Sequence, residues 1–150
     1  MLTEKDYCDY ETCVALKELG YNRGAYAYYF PNHKEDLIFN THQMRGCSIN
    51  EMLKGYNTYP KDVMGHELID APTMWEAQKF LREEKGIFVY IDVPWKTDGG
   101  LGWSHFCCNK PMTEGDEEVC FASGGFYDSY EEALIEGIKA SVKIFEGEVI

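Results

Sequence analysis

Ser129 stands three residues before Glu132, a spacing that closes a helix N-terminus with two reciprocal hydrogen bonds. Apolar or small residues then recur at Tyr130, Ala133, Leu134, Gly137, Ile138, Ser141, Val142 and Phe145. This 3.6-residue stripe is a helix face that must be buried, so the chain has to supply an apolar surface for it. Three upstream segments, "GIFVYIDV" (86–93), "WSHFCCN" (103–109) and "EVCFAS" (118–123), read as the strands of an antiparallel meander. Another helix precedes them. It opens at Thr73 with Glu76 in the capping relation, has Pro72 just outside, and runs "MWEAQKFLREEK" to a stop at Gly86. The spacing predicts an α-β-β-β-α unit over 72–147.

The N-terminal part repeats the same grammar on a smaller scale. Asp9 is placed as an N-cap, "YETCVALKEL" as the helix body and Gly20 as its stop. "AYAYYF" (25–30) and "DLIFNT" (36–41) flank "PNHKE" and predict a β-hairpin, giving a helix-hairpin over 1–42. In the connecting segment, 43–71, Ser48 and Glu51 predict a short helix, and the chain from Gly55 to Ala71 reads as an ordered loop. The expectation is one α+β domain spanning 1–150. A chain of 150 residues can bury about two-thirds of its unfolded surface in one such domain.

Charge narrows the partners. There are 26 acids against 14 bases, a net charge of −12, and from Thr113 to Glu136 eight acids with no Lys or Arg. Nucleic-acid affinity comes from cation clusters, so direct nucleic-acid binding is not expected. The order α-β-β-β-α is shared with the double-stranded RNA-binding domain. That module holds phosphates with basic residues at the start of its last helix, where this chain has "YDSYEEALIE". The apolar runs are too short to span a bilayer, and the polar, acidic start lacks a secretory pattern; the expectation is a cytoplasmic protein without membrane attachment. Cysteines at 8, 13, 47, 107, 108 and 120 include no CxxC pair. They are expected to be reduced and to act as small core residues.

Ala71-Pro72-Thr73, the run Gln78-Lys79-Phe80-Leu81-Arg82-Glu83, and Tyr130-Glu131-Glu132-Ala133 with its helix make a set. With the opening "YETCVALKELGY", this set resembles a group of small uncharacterised proteins of Bacteroidales bacteria, their phages and mobile elements. The resemblance covers most of the chain except about 43–64. It implies an accessory setting of that kind and carries over no catalytic residue.

Strand register decides which side chains meet. If "KTDGG" and "KPMTEGD" close the two hairpins, residue 90 faces 107, 92 faces 105, 107 faces 120 and 106 faces 121. Ile87, Val89, Ile91, Val93, Phe106, Cys108, Val119 and Phe121 then share the inner face. Phe88, Tyr90, Asp92, Trp103, His105, Cys107 and Cys120 share the outer one. A slip of one residue would exchange the faces and carry His105 and Asp92 toward the core. In the expected register Asp92, His105 and Cys107 are candidate catalytic residues, an acid orienting a base beside a thiol. His105, Cys107 and Cys120 are three candidate metal ligands without a fourth. Phe88, Tyr90, Trp103 and His105 form a candidate binding face, since exposed aromatic patches mark contact surfaces; the alternative is that the N-terminal hairpin, with Tyr26, Tyr28 and Tyr29, covers it. "TDGGLG" lacks the GK[ST] of a phosphate loop and reads as a turn. His33, His42 and His66 read as single surface residues.

These residues favour a non-enzymatic binding or interaction module that uses no cofactor and takes a protein partner or a second copy of itself. A small-ligand sequestering protein with a Tyr/Trp-lined pocket is one alternative. A small thiol or metal enzyme built on Asp92, His105, Cys107 and Cys120 is the other.

Overall fold

The computed structural model describes residues 2–31, 33–39, 68–93, 102–110 and 120–146. The chain divides into two compact units, Met1–Thr73 and Met74–Ile150. Both combine helix with a three-stranded antiparallel sheet, so the fold is α+β as expected. The expected helix after Ser48, the expected turn at 96–100 and all but Lys110 of that at 110–116, and His42, Cys47 and His66 lie outside the described residues.

In the first unit, α1 (Tyr10–Glu18) starts at Asp9, whose carboxylate accepts the Thr12 N–H at 2.9 Å. It stops at Gly20, where φ is +98°, a left-handed conformation that glycine adopts without a Cβ clash. There the Tyr21 N–H returns to the Leu16 carbonyl and the Gly20 N–H to that of Lys17, satisfying two terminal acceptors. The hairpin is present as β1 (Ala27–Phe30) and β2 (His33–Phe39), which places His33 in a strand rather than in a loop. The segment read as a loop up to Ala71 contains a third strand, β3 (Ile69–Ala71), paired antiparallel with β1. Sheet order is therefore β2-β1-β3. Three residues are too few to show a period, and only the pairing reveals this strand.

Leu16, Cys13, Ala27, Leu68, Ala71 and Pro72 form the buried centre of this unit. The Cys8 carbonyl accepts both the Tyr29 hydroxyl, at 3.1 Å, and the Cys13 thiol, at 3.4 Å. Burial pushes the Cys13 thiol well above its ordinary value, so it stays protonated and inert. Tyr29 also packs edge-on against Tyr10, and Tyr28 against Phe30.

The second unit is α2 (Met74–Lys85), β4 (Phe88–Asp92), β5 (Trp103–Cys108), β6 (Cys120–Tyr127) and α3 (Tyr130–Lys143), the expected α-β-β-β-α order. Its sheet runs β4-β5-β6. The Ser129 hydroxyl accepts the Glu132 N–H at 3.0 Å, and the Glu132 carboxylate reaches back to the Asp128 N–H at 3.1 Å. Ser129→Ala is expected to cost about 1 kcal/mol, read as a lower urea midpoint, with Ser129→Asp retaining the wild-type value. The stripe on α3 is buried at Ala133, Leu134, Gly137, Ile138, Ser141 and Val142, and α2 buries Met74, Ala77, Phe80 and Leu81. The Gln78 amide of α2 donates to the Val89 carbonyl of β4 at 3.0 Å.

The register differs from expectation by one residue between β4 and β5, and by two at Phe106 and Cys107 between β5 and β6. Val89 faces Cys107, Ile91 faces His105, and Asp92 faces Ser104. On the other side Cys107 faces Ala122, His105 faces Gly124, and Cys108 rather than Cys107 faces Cys120. β4 keeps its expected faces, with Val89 toward α3. β5 is inverted: Trp103, His105 and Cys107 turn toward α3, while Phe106 and Cys108 turn away with Phe88 and Tyr90. β6 also runs on to Tyr127, through Gly124 and Gly125.

Candidate functional site

Inversion of β5 puts the chemistry-bearing residues under a helix. α3 approaches the sheet at Gly137, where a Cβ would lie 2.7 Å from Val89 Cγ1 and 3.2 Å from His105 Cβ. On β6 the corresponding space is left by Gly124, whose Cβ would meet His105 Cε1 at 2.8 Å. Two glycines on two elements thus make room for one imidazole, which is only 4% exposed. Tyr127 stacks on it, with ring centroids 5.6 Å apart and planes inclined by 19°.

Two carbonyls of α3 hold the polar atoms here. The Gly137 carbonyl accepts the Cys107 thiol at 3.3 Å and the Ser141 hydroxyl at 2.8 Å. The His105 ring is hydrogen-bonded to the Ala133 backbone. Its Nδ1 is buried without a hydrogen-bond partner among the described residues, as is Ser104 Oγ. Burial pushes the Cys107 thiol up, against a smaller opposite pull from the Ser141 hydroxyl. Burial pushes His105 down, against the Glu136 carboxylate and the Ala133 hydrogen bond. The thiol therefore stays protonated and the imidazole neutral, and each makes a polar contact to the backbone of α3.

Asp92 does not join them. It lies at the exposed end of β4, opposite Ser104, with its carboxylate accepting the Val93 N–H at 2.8 Å. The slip that carries His105 inward inverts β5 alone, so Asp92 stays on the outer face of β4 with Phe88 and Tyr90. The three candidate metal ligands are also divided: His105 and Cys107 face α3, and Cys120 is paired with Cys108. Among the described residues no group of three His, Cys, Asp or Glu side chains is placed to hold a metal ion.

The candidate aromatic face is likewise rearranged. Phe88 and Tyr90 stack at 6.3 Å with planes inclined by 14°, and Phe106 joins their side of the sheet. Trp103 faces the other way and packs edge-on against Tyr130 of α3 at 5.6 Å. A residue that pattern-reading passed over stands out instead. Between the pairs Trp103–Tyr127 and His105–Gly124, β6 carries one residue more than β5, a bulge. Within it Phe126 has φ +66° and is 53% exposed. The "GGFY" run, glycines interrupting a strand, is the sequence signal for such a bulge.

His105 also dictates a pH response. The unfolded imidazole titrates near its ordinary value of about 6.5, whereas the folded one is held lower. Above that value both states are neutral and His105 contributes nothing. As pH falls below it, the unfolded state takes up a proton that the native state refuses, and stability drops until the folded value is passed. The expected result is a melting midpoint that falls more between pH 7.5 and 5 for the wild type than for His105→Gln.

Among the described residues no helix is long and apolar enough to cross a membrane. Comparison with protein-family models, with curated proteins and with solved structures finds no match to this chain. The geometry defines a small α+β protein in which His105 and Cys107 are enclosed beneath a helix and a strained, exposed aromatic marks the sheet edge.

Proposed function

We propose that this chain is a non-enzymatic interaction module that docks a basic protein partner through Phe126 and the acidic residues that follow it. The carrying observation is Phe126 itself. A left-handed backbone costs a non-glycine residue about 1–2 kcal/mol, and its ring remains more than half exposed to water. Strain and exposure combined on one large apolar residue suit a contact made with another molecule. Asp128, Glu131 and Glu132 are exposed close behind it in sequence, and no Lys or Arg occurs between Thr113 and Glu136. Such a ring-and-rim arrangement fits an apolar pocket bordered by Lys or Arg, with the charges raising the association rate. The resemblance to small proteins of Bacteroidales phages and mobile elements supports an accessory role, and their cells are where the partner is sought.

A photo-crosslinking residue at position 126, activated in such cells, tests the reading. The expected result is a discrete adduct with a basic protein, weakened at high salt. Adducts with a second copy of the chain would instead make the contact self-association, and absence of any adduct would refute it.

A further inference from the structure

We propose that Cys108 and Cys120 are a reversible redox pair that closes to a disulfide across β5 and β6. Their Cα atoms are register partners and their sulfur atoms lie 2.7 Å apart. A disulfide of about 2.05 Å requires these atoms to approach by roughly 0.7 Å more. The pairing is the product of a bulge. Continuing the ladder from Phe106–Ser123 and Cys107–Ala122 would set Cys108 against Phe121, but the register shifts by one residue and brings Cys120 there instead. Cys107 takes no part, since its thiol lies on the other face, bonded to Gly137.

Exposure sets the order of events. Cys108 is fully buried and Cys120 is half-buried, so an oxidant of the peroxide class meets Cys120 first. The Cys120 thiolate attacks a peroxide oxygen, the O–O bond breaks, and with one proton the leaving oxygen departs as water, giving a sulfenic acid. Cys108 sulfur then attacks Cys120 sulfur, the S–O bond breaks, and the Cys108 proton leaves with that oxygen as a second water. In sum two thiols are oxidised to one disulfide while one peroxide is reduced to two waters. Burial, followed by the adjoining Cys120 thiol, pushes Cys108 up to about 12. It therefore remains a protonated thiol until an electrophilic sulfur is beside it. Exchange with a small dithiol reverses the bond.

The test uses the full-length wild-type chain, treated with hydrogen peroxide, alkylated and mapped without reduction. A glutamate-specific protease cuts between Cys108 and Cys120, so a bond between them leaves two peptides joined. The expected result is a mass lower by two hydrogens, one linkage located at Cys108–Cys120 by fragmentation, and full reversal by dithiothreitol. The oxidised protein is expected to melt several degrees above the reduced one, because the bond restricts the unfolded chain. Cys120→Ser is expected to abolish the linkage and the shift. Sulfinic or sulfonic acid at Cys120 without a linked peptide, or a linkage to any other cysteine, would overturn the proposal in the wild type alone, whatever the variant does.

Discussion

Gly137→Ala is expected to destabilise the chain by about 1–2 kcal/mol, the reverse of what the same change does in an ordinary helix. In a helix interior alanine is favoured over glycine by about 1 kcal/mol. Here the added methyl would stand 2.7 Å from Val89 Cγ1 and 3.2 Å from His105 Cβ. Neither atom gives way cheaply, since Val89 is β-branched and stiff and the His105 Cβ is attached directly to the central strand. Overpacking of a dense core costs about 1–3 kcal/mol, enough to exceed the propensity gain. The melting midpoint is expected to fall by roughly 3–8 °C for a chain of this size. Val89→Ala removes the nearest clashing atom, so the double variant is expected to be more stable than the sum of the two single losses implies. A Gly137→Ala protein as stable as the wild type would mean that α3 does not approach the sheet this closely.

The same contact explains which parts of the fold could be read from residues alone. Asp9, Ser129 and the stop at Gly20 act through neighbours a few residues away, so their roles are legible locally, as is the stripe on α3. β4 was legible too, because Val89 and Ile91 alternate cleanly with Phe88 and Tyr90. β5 offers no such contrast. In "WSHFCC" either parity buries one aromatic and one cysteine, and hydrophobic pattern cannot choose between them. Inferring the register from assumed turn closures therefore left an error of a single residue free to invert the strand. The deciding factor is distant in sequence: Gly124 and Gly137 leave space for an imidazole where no side chain of their own intrudes. Backbone carbonyls of α3 then receive the His105 and Cys107 groups that the outward reading assigned to chemistry. Phe126 escaped notice for a related reason, since a bulge is a property of two strands together and "GGFY" alone does not specify how β5 pairs with it.

Phe126→Gly is expected to lower affinity for the partner at least about 30-fold, or 2 kcal/mol, the scale of a central aromatic contact. It is expected to change stability by no more than about 1 kcal/mol. Three effects nearly cancel. Glycine relieves the left-handed strain of about 1–2 kcal/mol but adds about 0.5–1 kcal/mol of unfolded-chain entropy. It also gives up the burial of the covered half of the ring, about 1 kcal/mol given that a fully buried phenylalanine contributes about 1.5–3 kcal/mol. Phe126→Ala loses the same ring while keeping the strain at φ +66°, so it should be about 1 kcal/mol less stable than the glycine variant and bind no better. The comparison separates the two roles of the position: the Gly–Ala difference in chemical denaturation reports the backbone, and the shared loss in titration calorimetry reports the ring. Charge reversal at Asp128 and Glu131 together is expected to slow association, with little effect on dissociation and with a salt dependence smaller than that of the wild type. If both Phe126 variants bind as the wild type does, the exposed ring is not the contact, and the strain at this bulge serves the register of β6 alone.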